Sequence, residues 1–143
     1  MRALLDVNVL IALLDPDHTH HPIATRWLAA QRSPGWASCP ITQNGCVRIM
    51  AQPSYPNGAP ASTIAALLRD AMSSRSHAFW PDDLSIVAEG VLDWRSILGS
   101  RQVTDAYLLA LAVRRRGRFV TLDRGVAVAA VAGATAKSLV VLD

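Results

Sequence analysis

The sequence predicts an α/β domain with a mainly parallel sheet of about five strands, and three observations carry that expectation. Apolar runs of strand length alternate with longer amphipathic stretches of helical period. Pro, Gly, Asp and Ser punctuate the joins between them. Hydrophobic residues make up 51% of the 143 and charged residues 17%, enough apolar side chain for a core and too little charge for a disordered chain. A single domain over residues 1–143 is expected, with no linker and no internal repeat.

The elements follow in order. Residues 2–6 are the first strand, and Asn8 to about Leu14 a short helix ended by Asp15-Pro16-Asp17. Thr19 or His20 opens a second helix that sets Ile23, Ala24, Trp27 and Leu28 on one face. Trp36 to Cys39 is the second strand, stopped by Pro40, and Thr42 is the expected N-cap of a helix through Val47, Ile49 and Met50. Gln52 to Pro60, with three prolines and Asn57-Gly58, is a loop; Ser62-Thr63 starts the next helix, carrying Ile64, Leu67, Leu68 and Met72. His77 to Trp80 is the third strand. Pro81-Asp82-Asp83 is expected to cap a helix across Ile86, Val87, Val91, Leu92 and Trp94. Beyond Gly99-Ser100, a densely apolar helix runs from Thr104 to Val113 and ends in Arg114-Arg115-Arg116-Gly117. Residues 118–122 form the fourth strand and Leu139 to Leu142 the fifth.

Composition narrows the function classes. No apolar run reaches the roughly 18 residues that span a bilayer, and Asp6 interrupts the opening apolar stretch, so a cytoplasmic protein without membrane contact is expected. Cys39 and Cys46 match no zinc or disulfide spacing and are expected to be buried free thiols. The net charge is +3, and of 14 basic residues only Lys137 is a lysine. Arginine forks bind phosphate bidentately, which suits a nucleic-acid partner, although arginine-rich coding bias explains the composition equally well.

A carboxylate inside an apolar run is costly unless something pairs with it or coordinates it, which makes Asp6 the informative residue. Asp123 ends the fourth strand as Asp6 ends the first. Asp105 sits one residue after Thr104, in the first turn of the helix leading to that fourth strand. In open α/β sheets ligands bind beyond the carboxyl ends of the strands where strand order reverses, so neighbouring first and fourth strands would turn these acids into one pocket. Three carboxylates together repel unless a hard divalent cation, Mg²⁺ or Mn²⁺, neutralises them; such ions polarise phosphoryl oxygens and generate a hydroxide nucleophile. Taken singly, each acid is equally a helix or turn cap, as Asp123-Arg124-Gly125 illustrates.

The run "LLDVNVLIALL" resembles the opening of the PIN-domain nucleases, and "VTDAYLLALAVRRRGRFVTLDRG" their second signature. With "CPITQNGCVRIM" between them, the whole chain is similar to the VapC toxins of bacterial toxin–antitoxin pairs. The resemblance implies a three-layer α/β/α sandwich, Mg²⁺- or Mn²⁺-dependent cleavage of single-stranded or loop RNA, with transfer RNA one candidate, a homodimer, and neutralisation by a cognate VapB-type antitoxin. It makes Asp6, Asp105 and Asp123 the catalytic and metal-binding acids, with Asn8 bonded to one of them or to bound water. PIN nucleases generally carry a further acid, usually Glu, in the helix after the second strand. Here that region holds Gln43, Asn44 and Gly45, and the sole glutamate is Glu89 in a later segment. Thr42 and Gln43 are the expected stand-ins, holding water or substrate phosphate.

Other features have two readings each. Arg114, Arg115, Arg116 and Arg118 either track an RNA backbone or cap the helix C-terminus against its dipole. His18, His20 and His21 fit a surface helix start better than a metal site. For most of Trp27, Trp36, Trp80 and Trp94, core and dimer packing fits better than base stacking. The loop Gln52 to Pro60 is a candidate lid or antitoxin contact. Two rival functions stand beside the nuclease. One is a PIN-fold module that binds RNA or metal without turnover. The other, a phosphoacceptor signalling domain, wants paired acids after the first strand, where this chain has one.

Overall fold

The computed structural model describes residues 1–31 and 33–143. Its centre is an all-parallel five-stranded sheet in the order β3-β2-β1-β4-β5. The strands are β1 (Ala3–Leu5), β2 (Trp36–Ser38), β3 (His77–Phe79), β4 (Arg118–Thr121) and β5 (Leu139–Val141). The chain winds outward from β1 to β3 on one side, then returns to place β4 on the other side of β1, with Leu4 in register with Phe119. Strand order therefore reverses between β1 and β4.

Among the described residues, five α-helices cover the sheet: α1 (Val7–Leu14), α2 (His21–Ala30), α3 (Pro40–Met50), α4 (Ala61–Met72) and α5 (Val103–Arg114). The period-2 alternation of the strands sorts the core into two layers. Ala3, Leu5 and Val120 face a cluster with Val9, Leu10, Cys46, Ile64 and Leu68 from α1, α3 and α4. Leu4 and Phe119 face the other way, against Leu108, Leu109 and Leu111 of α5. The expected three-layer α/β/α sandwich is the observed architecture. Because both faces are covered, β1 is buried throughout, and α5 is buried from Ala106 to Ala112 almost without a polar stripe. Among the described residues no helix is long and apolar enough to cross a membrane.

Two expectations fail. The segment from Pro81 to Trp94 is not a helix; it runs through turns to an isolated bridge between Leu92 and Val131, then a 3₁₀ turn, Trp94–Ser96. Its carboxyl-terminal end bonds another segment: Asp93 N–H donates to Ala130 O at 2.8 Å, and Ala132 N–H to Val91 O at 3.3 Å. Gly90 lies at φ +82°, and Val87 is 80% exposed, so neither backbone nor burial supports a helical stripe. Thr42 is not the N-cap of α3. The cap lies three residues earlier, at Cys39, with Pro40 in the first turn, where its missing N–H costs nothing. Thr42 sits at the third helical position and its hydroxyl accepts from Cys39 N–H at 3.0 Å. Thr104 likewise lies inside the first turn of α5, which starts at Val103.

Candidate active site

Asp6 follows β1 directly and caps α1, its Oδ1 accepting from Val7 N–H at 2.7 Å. It is 6% exposed. The chain folds this way because an Asp after an apolar strand satisfies a first-turn amide that would otherwise lack an acceptor. The other oxygen, Oδ2, accepts from the Thr121 hydroxyl at 2.6 Å. Thr121, the last residue of β4, is fully buried, and its Oγ1 also accepts from Asn8 Nδ2 at 3.3 Å and from Asp123 N–H at 3.0 Å. One donor and two acceptor positions are thus all in use, which fixes the direction of the hydroxyl proton toward Asp6. Asn8 closes the frame by accepting from Leu122 N–H at 3.2 Å. The pairing of β1 with β4 is what brings residues 6, 8, 121 and 123 together.

Asp123 lies two residues beyond β4, in an Asx turn whose Oδ1 accepts from Gly125 N–H at 2.7 Å. Asp105, in the first turn of α5, reaches the same place from the opposite layer. Burial first, then the charges of Asp6 and Asp123 and a hydrogen bond with Asp123, push its carboxyl up to about 7. Burial also raises Asp6, helped by the Asp123 charge and opposed by the bonds from Thr121 and Val7. The three acids are electrostatic neighbours at the crevice between β1 and β4. Among the described residues, no three His, Cys, Asp or Glu side chains already stand at the mutual spacing of a closed metal cage. The donor set is nonetheless all carboxylate oxygen, the kind that hard divalent ions take, and the crowding at Asp105 is what such an ion relieves.

Beside Asp6 opens a groove of about 540 Å³, lined by Val7 of α1, Asn44, Gly45 and Arg48 of α3, and Thr104 of α5. Gly45 is required by close approach: a Cβ there would lie 2.7 Å from Val7 Cγ2. Neither expected stand-in for the family's helix acid faces this groove. Thr42 is fully buried and bonded within its own turn. Gln43 points to the other side of α3, where its Nε2 donates to Ser38 Oγ at 3.0 Å, itself 2.8 Å from His77 Nε2. The expectation that Thr42 holds water or substrate is corrected by its complete burial, while Gln43, half-buried and tied to Ser38, lines a neighbouring groove rather than the one beside Asp6. Asn44 and Arg48 occupy the exposed face instead.

The arginine cluster lies elsewhere. Arg114 and Arg115 reach Asp83 at 3.7 and 2.8 Å. Arg118, at the amino end of β4, bonds Gln31 and covers the Trp27 ring at 5.3 Å. Arg116 ends α5 in a left-handed conformation at φ +56°. Nine residues at about 1.5 Å each separate Asp105 from Arg114 along α5, so these side chains sit at the far end of the sheet from the acids. The loop after α3 is tied to the far end of α1, with Tyr55 donating to Asp15 and Asn57 to Asp17. Sequence reasoning missed three residues at the site: Thr121, Asn44 and Arg48. A polar residue in a buried strand two positions before Asp123 was the available sign for Thr121. The spacing of four between Asn44 and Arg48 was the sign for the pair.

A parallel sheet with acids gathered at its reversal point defines an α/β domain with a carboxylate-lined crevice suited to a divalent ion, and comparison specifies the family. The PIN domain family profile matches residues 3–132. Ribonuclease VapC44 of Mycobacterium tuberculosis is 51% identical over 99% of this chain and 100% of its own length. Ribonuclease VapC39 of the same species is 46% identical over 93% and 96%. The chain belongs to the PIN-domain family and, within it, to the VapC ribonucleases. Two crystal structures share the fold at low identity. VapC20 of M. tuberculosis, described as a sarcin–ricin-loop-cleaving toxin, has a TM-score of 0.54 at 16% identity, over 81% of this chain and 85% of that one. VapBC2 from Rickettsia felis, bound to a DNA fragment from its promoter, has a TM-score of 0.63 at 10% identity over the whole of both chains.

Proposed function

We propose that this protein is a toxin-type, metal-dependent endoribonuclease that hydrolyses phosphodiester bonds in single-stranded or loop RNA, transfer RNA among the candidates. The observation that carries the reading is the convergence of Asp6, Asp105 and Asp123, from three separate segments, on the crevice between β1 and β4. These three acids would hold Mg²⁺ or Mn²⁺. Such an ion, when bound, supplies positive charge against the phosphoryl oxygens and lowers the pKa of water beside the scissile phosphate. The chain's own part is orientation. Thr121 and Val7 hold Asp6 in one rotamer, Asn8 ties the start of α1 to the chain beyond β4, and the Asx turn fixes Asp123. Arg114, Arg115, Arg116 and Arg118 have no part at the acidic end; an RNA large enough to wrap the domain would meet them as backbone contacts.

The ribonuclease names of the relatives support the activity, and the VapBC neighbour supports a small VapB-type antitoxin as partner. A homodimer completes the proposal. The test is cleavage of a labelled transfer-RNA pool with Mg²⁺, Mn²⁺ or EDTA, beside folded Asp6→Asn and Asp105→Asn variants. Cutting should require the metal and fall by about 100-fold or more in each variant. Metal-independent cutting, or full activity in either variant, refutes the assignment.

A further inference from the structure

We propose that Arg48 and Asn44 of α3 form the substrate-binding wall of this site, Arg48 holding a backbone phosphate next to the scissile one and Asn44 the adjoining nucleotide. This inference rests on the nuclease reading and names how RNA is held. Asn44 and Arg48 are four residues apart on one face of α3, both exposed, and both line the groove that contains Asp6. Gly45 lets α3 lie against Val7, the neighbour of Asp6, so Arg48 stands less than one helical turn beyond that contact.

Charge decides the occupant. The acids repel a phosphodiester, so a strand that reaches them needs a cation nearby, and Arg48 is the cation lining this groove. Among the described residues Arg48 has no carboxylate within ion-pair distance, whereas Arg95, Arg114, Arg115 and Arg124 each do. Its guanidinium is thus free to make a two-pronged phosphate contact. Ile41 and Ile49 on the same helix face give the groove an apolar floor, suited to a ribose or base rather than to bare anion.

The experiment measures binding of a 5′-fluorescein-labelled, mixed-sequence single-stranded RNA decamer by anisotropy in EDTA over a salt series, and steady-state cleavage with Mg²⁺. Arg48→Ala should weaken binding about 5- to 10-fold near 0.1 M salt and lower the salt slope by about 0.7, one single-strand phosphate contact. KM should rise by a similar factor with kcat within about twofold, and Arg48→Lys should recover most of the loss. Arg75→Ala, removing the same charge beside the amino end of β3, is the control and should change nothing. Unchanged binding and KM in Arg48→Ala overturn the proposal and leave the nuclease reading standing. Equal losses in Arg75→Ala overturn it in favour of general charge attraction, and a loss confined to antitoxin affinity assigns the groove to a protein partner. RNA binding that falls in Arg48→Ala while the wild type cuts neither the decamer nor the transfer-RNA pool supports the groove assignment and sinks the nuclease reading.

Discussion

Neutralising Asp105 should stabilise the metal-free protein while removing its activity. Its carboxyl is held at about 7 against an ordinary 3.8, because burial and the charges of Asp6 and Asp123 oppose its ionisation. At about 1.4 kcal/mol per pH unit, that gap sets a ceiling of about 4 kcal/mol on the cost of the charged form. Asp105 is partly exposed, and solvent screening brings the expected gain for Asp105→Asn down to about 1–2 kcal/mol. For a domain of this size that is a rise in Tm of about 3–8 °C. The assay is thermal and urea unfolding in EDTA at pH 8, above the folded-state value, where the wild type bears the full cost. As pH falls from 7 toward 4, the folded wild type takes up its proton before the unfolded chain does and regains stability. Below about pH 4 both states are protonated and the two proteins should melt alike. Millimolar Mg²⁺ should narrow or reverse the gap at pH 8 by stabilising the wild type more than the variant. A variant that melts at or below the wild type in EDTA at pH 8, or a gap that persists at pH 4, would refute the electrostatic account.

Two further substitutions probe the frame around the acids. Thr121→Val removes the hydroxyl that donates to Asp6 and accepts from Asn8 and Asp123, and should cost about 1–3 kcal/mol in urea unfolding. Thr121→Ser should keep most of the stability, and a Val variant as stable as the wild type would remove the bridge from the argument. Gly45→Ala drives a methyl to 2.7 Å from the stiff Val7 side chain, and overpacking of about 1–3 kcal/mol should outweigh the roughly 1 kcal/mol of helix propensity gained. Adding Val7→Ala should turn that loss into the propensity gain; additive effects of the two substitutions would show that the contact is not tight.

The three acids were legible because each rests on a local signature: an Asp in an apolar strand end, an Asp in a helix's first turn, an Asp in a turn after the next strand. Their spacing relative to elements survives small errors in element boundaries. The residues of α3 were not legible in the same way. Placing the cap at Thr42 instead of Cys39 shifts the helix start by three residues, and three residues turn a helix by most of a circle. Gln43 was set in the site by the family resemblance, which does not show that its amide turns to Ser38 while Asn44 and Arg48 line the groove beside Asp6. The false helix from Pro81 to Trp94 has a similar origin. Apolar spacing alone suited a helix, but the backbone partners that won, Ala130 and Ala132, lie some forty residues away in sequence.

The sequence by itself determined the layered α/β architecture, the strands in their order along the chain, and the identity of the acids. Hydrophobic period and turn chemistry are properties of neighbouring residues and need no partner to be expressed. Only the tertiary structure decided that β4 lies beside β1, that Thr121 saturates its hydroxyl between Asp6, Asn8 and Asp123, and that the arginine run points away from the site while Arg48 lines it. Those outcomes depend on strand order and helix rotation, which are set by packing between segments from about forty to more than a hundred residues apart.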